Sequence, residues 1–78
     1  MFYTYVLKSK KDRDLYIGHT SNLKDRFKDH NKGLVSSTKH RRPFIIVYYE
    51  ACLDEFKAVR REHYFKTGFG RRFLKQRI

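Results

Sequence analysis

The chain has 78 residues, and 19 Lys and Arg against 8 Asp and Glu give it a formal net charge of +11. This excess predicts a nucleic-acid partner, because a basic protein that neutralises phosphates releases condensed counterions. Its length predicts a single domain, residues 1–78, and it has no run of about 18 apolar residues that could cross a bilayer, so no membrane role is expected. One cysteine, Cys52, excludes an internal disulfide and fits a reducing, cytoplasmic location.

A β-hairpin is predicted at the start of the chain. Residues 2–7 are rich in aromatic and β-branched side chains, which favour a strand. The polar residues 9–14 predict a turn, and residues 15–18 predict the returning strand. Alternation along this second strand places Tyr16 and Gly18 on one face. Gly18 is expected to leave space beside Tyr16 for a ligand or a backbone to approach.

A helix, a basic loop and a third strand are predicted next. The favourable N-cap residues at positions 20–22 begin a helix that ends near Lys32, where Gly33 is a stop signal. Residues 34–43 predict a polar, basic loop. Residues 44–51 form the best strand of the chain, and their continuous apolar character predicts a central position in the sheet.

Two helices complete the predicted fold. Asp54 caps a long helix that ends near residues 67–68. Residues 69–78 predict a short, basic last helix. The order β-β-α-β-α-α indicates an α+β fold, in which helices flank a small antiparallel sheet.

One carboxylate lies where a charge is costly. Glu62 falls on the apolar side of the long helix, between Ala58 and Phe65, and a buried charge requires a partner. Two interpretations stay open: an ion pair with Arg or Lys, or a ligand for a hard divalent cation completed by water and phosphate oxygens. The histidines and the single cysteine lack the spacing of a zinc site.

Two tyrosines and an arginine are candidates for chemistry. Tyr5 and Tyr16 lie on neighbouring strands of the predicted hairpin, where aromatic packing and a catalytic role both fit. Arg26 and His30 are four residues apart and project together from the first helix. Arg26 either clamps a phosphate whose charge grows during attack or belongs to a solvated basic face.

Taken in chain order, these short motifs resemble those of the GIY-YIG endonuclease superfamily. They are Tyr3-Thr4-Tyr5, Tyr16-Ile17-Gly18, Asn22-Leu23 with Arg26, and Arg61-Glu62 with Ala58 and Lys66. The likeness covers nearly the whole chain and is greatest to short bacterial proteins related to the N-terminal nuclease domain of the excinuclease C subunit. The chain departs from the family pattern at two points, since Tyr3 replaces the Gly of GIY and no Asn follows Glu62.

The resemblance implies a fold, a reaction and residue roles. The fold is a three-stranded antiparallel sheet flanked by helices, and the reaction is metal-assisted hydrolysis of a phosphodiester by water. Tyr16 matches the general base, and Tyr5 matches the partner that helps to hold the nucleophile. Arg26 matches the arginine that stabilises the scissile phosphate, and Glu62 matches the acid that binds one Mg²⁺ or Mn²⁺ ion.

Further residues are expected to support the reaction and hold the substrate. His19 follows the YIG motif, where the family often places a basic or imidazole group. His30 is expected to contact phosphate or to support a residue that does. The loop and the last helix supply cations for the nucleic-acid backbone, namely Lys39, Arg41, Arg42, Arg71, Arg72, Lys75 and Arg77.

Two functions stay open at this point. The first is a metal-dependent endonuclease that nicks DNA with low sequence specificity, in DNA repair or processing, as a monomer or weak dimer. Its specificity is then expected to come from DNA structure or from a protein partner. The second, which the missing late Asn allows, is a non-catalytic nucleic-acid-binding module on a degenerate nuclease fold.

Overall fold

The computed structural model describes residues 1–78 and has the predicted α+β architecture. Three strands form one antiparallel sheet: β1 (Phe2–Ser9), β2 (Leu15–Thr20) and β3 (Phe44–Cys52). Three helices pack on it: α1 (Leu23–Lys32), α2 (Glu55–Phe65) and α3 (Gly68–Lys75), and a 3₁₀ turn spans Lys39–Arg41. A membrane-spanning helix is absent, since all three helices are too short and too polar for that role.

The central strand of the sheet is β1, because the strand order is β2-β1-β3. The prediction of a central position for residues 44–51 is therefore wrong. Residues 4–7 of β1 are buried on both faces, whereas Ile45 and Tyr49 of β3 are 40% and 55% exposed. Strand β3 contributes apolar side chains to both faces, Ile46 to one and Val47 to the other, but it pairs only with β1. Strand β1 pairs with a neighbour on each side.

The helices cover opposite faces of the sheet. On the α1 side the buried side chains are Tyr5, Leu7 and Phe44, and Leu23 and Phe27 of the helix pack against them. On the other side α2 and α3 enclose a second cluster, formed by Val6, Ile17, Phe65 and Leu74. Because side chains alternate along a strand, neighbouring residues of β1 and β2 serve different cores.

The helix ends are set by the residues that the sequence indicates. The Asn22 side chain accepts a hydrogen bond from a first-turn N–H of α1 at 3.1 Å, and Gly33 ends that helix with a φ of 79°. Asp54 caps α2 in the same way. Helix α2 ends at Phe65, slightly earlier than predicted, because Thr67 caps the start of α3.

The sharp step from α2 to α3 requires a glycine at position 70. A Cβ on Gly70 would overlap the Tyr64 carbonyl and the Phe65 backbone, neither of which can move without shifting α2. A Cβ on Gly68 would meet no atom within 4 Å. The two glycines therefore form a matched pair, one essential for packing and one not.

We expect Gly70→Ala to lower the free energy of unfolding by about 1–3 kcal/mol, because the added methyl group forces the two helices apart. Gly68→Ala should leave it unchanged or raise it by up to about 1 kcal/mol, since alanine restricts the unfolded chain. Urea denaturation of both variants and the wild type measures this difference. Equal midpoints for the two variants would contradict the assigned packing.

Candidate active site

Tyr5 lies at the centre of the candidate site. It is 1% exposed and faces Gly18 across the β1–β2 pair. A Cβ on Gly18 would lie 2.5 Å from the Tyr5 hydroxyl oxygen, so only glycine leaves room for this phenol. The predicted open space for a ligand beside Gly18 is therefore wrong, because the Tyr5 ring already fills it.

The Tyr5 hydroxyl belongs to a buried chain of hydrogen bonds. It lies 2.9 Å from His30 Nε2, and His30 Nδ1 lies 2.8 Å from Thr38 Oγ1. The Thr38 hydroxyl donates to the Val35 carbonyl, so its oxygen accepts from the Nδ1–H of His30. His30 Nε2 then accepts from Tyr5. The Tyr5 proton thus points inward, and its oxygen acts as a hydrogen-bond acceptor for groups such as the Arg26 guanidinium.

His30 supports the site from beneath. Its side chain is 0% exposed, and both ring nitrogens are engaged by Tyr5 and Thr38. Burial, helped by the charge on Arg26 and partly offset by Asp29, lowers the pKa of His30 to about 4, so the ring is neutral at neutral pH. This geometry favours the second of the two predicted roles, support of a residue that contacts phosphate, and the role of His30 in the site stays a prediction.

Tyr16 and Arg26 complete the cluster on the α1 side. The Tyr16 ring centroid lies 5.0 Å from that of His30 and 6.4 Å from that of Tyr5. Burial raises the pKa of Tyr5 to about 12, and the guanidinium of Arg26 opposes this rise. Tyr5 therefore keeps its proton, and its pKa also responds to Tyr16 and Glu62. These residues share one electrostatic neighbourhood.

Glu62 approaches from α2, on the other side of β2. Its side chain is 14% exposed, with Oε1 2.6 Å from His19 Nδ1 and Oε2 2.9 Å from Lys66 Nζ. Burial acts to raise the pKa of Glu62, but His19 and Lys66 outweigh it and the pKa is lowered. The carboxylate is therefore ionised at neutral pH. Glu62 thus forms an ion pair with Lys66, and its role as a metal ligand stays a prediction.

The donor set around Glu62 limits which ions fit. No three His, Cys, Asp or Glu side chains are grouped closely enough to form an all-protein metal cage. Mg²⁺ is usually held through one or two carboxylates, with water and phosphate oxygens as its other ligands. A single partly buried carboxylate therefore fits one such ion, and it does not fit a structural zinc or a two-metal centre.

The predicted basic loop is only partly available to a ligand. Arg41 forms an ion pair with Asp12 at 2.6 Å, which lowers the pKa of that carboxyl to about 2. Arg42 packs over Gly33, and its Nε donates to the Lys39 carbonyl at 3.0 Å. The Lys39 side chain is exposed. Binding of nucleic acid by these residues stays a prediction.

The predicted cations of α3 lie at the surface. Arg71, Arg72 and Lys75 are exposed. The Arg72 guanidinium lies 5.5 Å from the ring centroid of Phe69, so part of its side chain is held against an aromatic face. Arg77 lies 3.7 Å from the Phe73 centroid, which fixes its direction more tightly.

Two residues of the site lack a predicted role. Lys66 follows Glu62 by four residues on the same helix, and this i, i+4 spacing is a signal that could have identified the pair. Thr38 has no local signal, because it meets His30 only when the loop folds back against α1. The tautomer of His30 therefore depends on a contact visible only in the folded chain.

Comparison with known proteins gives consistent matches. Residues 1–76 match the GIY-YIG catalytic domain. A UPF0213 protein of Staphylococcus haemolyticus is 42% identical over 66 residues, which cover 83% of this chain and 79% of that protein. A UPF0213 protein of Clostridium perfringens is 43% identical over 67 residues, covering 85% and 71% of the two chains. No solved structure gives a significant match.

The pKa of His30 predicts a loss of stability in mild acid. The unfolded residue takes up a proton near pH 6.5, whereas the folded one does so only near pH 4. Stability from this group is therefore complete above pH 6.5 and is lost as the pH falls. Between pH 6.5 and 4.5, we expect the free energy of unfolding to drop by roughly 2 kcal/mol through His30 alone.

Urea denaturation of the wild type and of His30→Gln across this interval isolates the contribution. Glutamine keeps a donor and an acceptor for Thr38 and Tyr5 but cannot take up a proton. Glu62, with its lowered pKa, contributes stability that is lost below its ordinary value of 4.5, outside the interval. An equal drop in both proteins would exclude the buried, neutral state of His30.

Proposed function

Because the chain belongs to the GIY-YIG family, we propose that it is a divalent-metal-dependent endonuclease that nicks DNA. A nuclease domain that binds nucleic acid follows from the family itself. The observation that carries the finer proposal is that strand β2 lies between the Tyr5 and Tyr16 rings on one face and the half-buried carboxylate of Glu62, bound to His19, on the other. A net charge of +11 supports an anionic polymer as the substrate.

Arg26 binds the scissile phosphate in this proposal. Its charge lowers the pKa of His30 and opposes the rise in that of Tyr5, so the guanidinium acts on the cluster as well as on solvent. A guanidinium there pairs with two phosphate oxygens and stabilises the charge that grows on them during attack.

The two tyrosines hold and activate the attacking water. Since Tyr5 donates its proton to His30, its oxygen accepts a hydrogen bond from the water or from the Tyr16 hydroxyl. Tyr16 takes the proton from the water and passes its own hydroxyl proton to solvent, while the water oxygen bonds to phosphorus. The bond to the leaving ribose oxygen breaks, and that oxygen takes a proton from solvent.

Glu62 would hold one Mg²⁺ or Mn²⁺ ion. Bound there, the ion supplies positive charge that polarises the phosphate and neutralises its developing charge. Lys66 is 54% exposed and can move aside, while His19 keeps its hydrogen bond and orients the carboxylate. The basic side chains of the surface hold the DNA backbone without reading its sequence. Low sequence specificity, suited to repair or processing, follows from such contacts.

One observation favours a second function, a non-catalytic nucleic-acid-binding module. Both oxygens of Glu62 already have cationic or hydrogen-bonding partners, His19 and Lys66, and no Asn follows Glu62 in the chain. A site closed in this way would bind phosphate through Arg26 without turnover. The two functions make different predictions for metal-dependent cleavage.

Nicking of supercoiled plasmid in Mg²⁺ or Mn²⁺ tests the endonuclease directly. We expect the wild type to nick and EDTA to abolish nicking. Glu62→Gln should slow nicking by about 100-fold or more, because the charge stabilisation contributed through the metal ion amounts to several kcal/mol. DNA binding measured in EDTA should change little.

The matched control is Glu55→Gln, which removes the same charge from an exposed position in the first turn of the same helix. It should nick at the wild-type rate. Equal rates for Glu62→Gln and the wild type would rule out the metal site at Glu62. DNA binding without nicking by the wild type in either metal would establish the binding module instead.

A further inference from the structure

A groove lies beside the active-site cluster, between α1 and the β1–β3 half of the sheet. Its volume is about 570 Å³. Most of its lining is apolar or aromatic, and one cation lies among these side chains: Tyr3, Tyr49, Leu23, Phe27, Ile46 and Lys24. The steps assigned above to water attack and metal binding use none of these residues.

Two tyrosines form the aromatic part of the groove. The ring centroids of Tyr3 and Tyr49 lie 6.3 Å apart with an angle of 57° between the planes. Tyr49 is 55% exposed, so one face of its ring is available to solvent or to a ligand. An exposed aromatic ring beside an apolar floor is a surface on which a flat, apolar ligand can stack.

The groove adjoins the core around Tyr5, because Leu23, Phe27 and Ile46 line the groove and also pack against the cluster that contains Tyr5. Tyr49 lies directly opposite Tyr5 in the β1–β3 register, so both side chains emerge on the same face of the sheet. Tyr3 lies two residues before Tyr5 on that face, about 7 Å along the strand. A ligand in the groove therefore lies next to a group bound at Tyr5 and Arg26.

Resting on the proposed endonuclease function, we propose that this groove binds an unpaired nucleobase of the DNA substrate, stacked on Tyr49 beside the scissile phosphate. Every base has a flat face that stacks on an aromatic ring. In an intact duplex those faces are covered by neighbouring bases, so only single-stranded, mismatched or branched DNA offers one. The positive charge of Lys24 at the groove attracts the adjoining phosphate. The substrate class is therefore DNA with unpaired nucleotides.

Fluorescence anisotropy in EDTA measures this binding without cleavage. The probes are a labelled single strand, the same strand with abasic sites, and the intact duplex. Tyr49→Ser should weaken binding of the single strand by about 5- to 100-fold and binding of the duplex by less than about twofold. Tyr49→Phe keeps the stacking ring and should bind like the wild type.

Two controls separate stacking from charge and from general damage. Phe56→Ser removes another ring, 67% exposed on α2, and should leave binding unchanged. A plot of the logarithm of the binding constant against the logarithm of salt concentration has a slope set by the number of phosphate contacts. Lys24→Ala should reduce that slope by about the value of one contact, whereas Tyr49→Ser should leave it unchanged.

The proposal is overturned if Tyr49→Ser weakens single strand and duplex alike, if it weakens neither, or if abasic DNA binds as tightly as the intact strand. If the wild type fails to nick DNA but Tyr49→Ser still weakens single-strand binding more than duplex binding, the endonuclease is overturned and the base site stands. Nicking that is equally fast on duplex and single strand, with no effect of Tyr49→Ser, would leave the endonuclease standing and remove the base site.

Discussion

The phenol of Tyr5, enclosed between Gly18 and His30, is the contact on which fold and site both depend. It connects the central strand to β2, because its ring occupies the space that a side chain at Gly18 would fill, and to α1 through the hydrogen bond with His30. Protein interiors are close-packed, so a buried side chain such as that of Tyr5 can be displaced only slightly. The hydroxyl oxygen is therefore held in one place by the core itself, and the site receives its geometry from packing.

Strand β2 divides the site into two halves with different electrostatics. Gly18 leaves room for the tyrosine on the α1 side, and the next residue, His19, points to the opposite face and meets Glu62. The α1 side has the positive charge of Arg26 next to the phenol of Tyr5, both suited to a phosphate and a water molecule. The α2 side supplies the carboxylate of Glu62, which is paired with Lys66 and hydrogen-bonded to His19. The edge strand β2 thus lies between groups from three other elements: β1, α1 and α2.

Local signals accounted for much of this arrangement. The caps at Asn22 and Asp54 depend on side chains within a few residues, and the position of Glu62 on an apolar helix face already indicated a required partner. Strand order could not be predicted in the same way, because an apolar run shows that a strand packs against other groups but not how many strands it pairs with. The space at Gly18 is filled by a residue 13 positions earlier, and Thr38 reaches His30 through a folded-back loop. Such long-range contacts have no periodicity in the sequence.

The central claim, that β2 unites the tyrosine cluster and Glu62 in one metal-and-phosphate site, is tested most directly by paramagnetic broadening. Substoichiometric Mn²⁺ is added to ¹⁵N-labelled protein, and the backbone amide signals are followed by NMR. We expect the strongest broadening at His19 and Glu62, with broadening of Tyr5 and Tyr16 as well, and its loss in Glu62→Gln but not in Glu55→Gln. Broadening centred elsewhere, or unchanged by Glu62→Gln, would contradict a shared site.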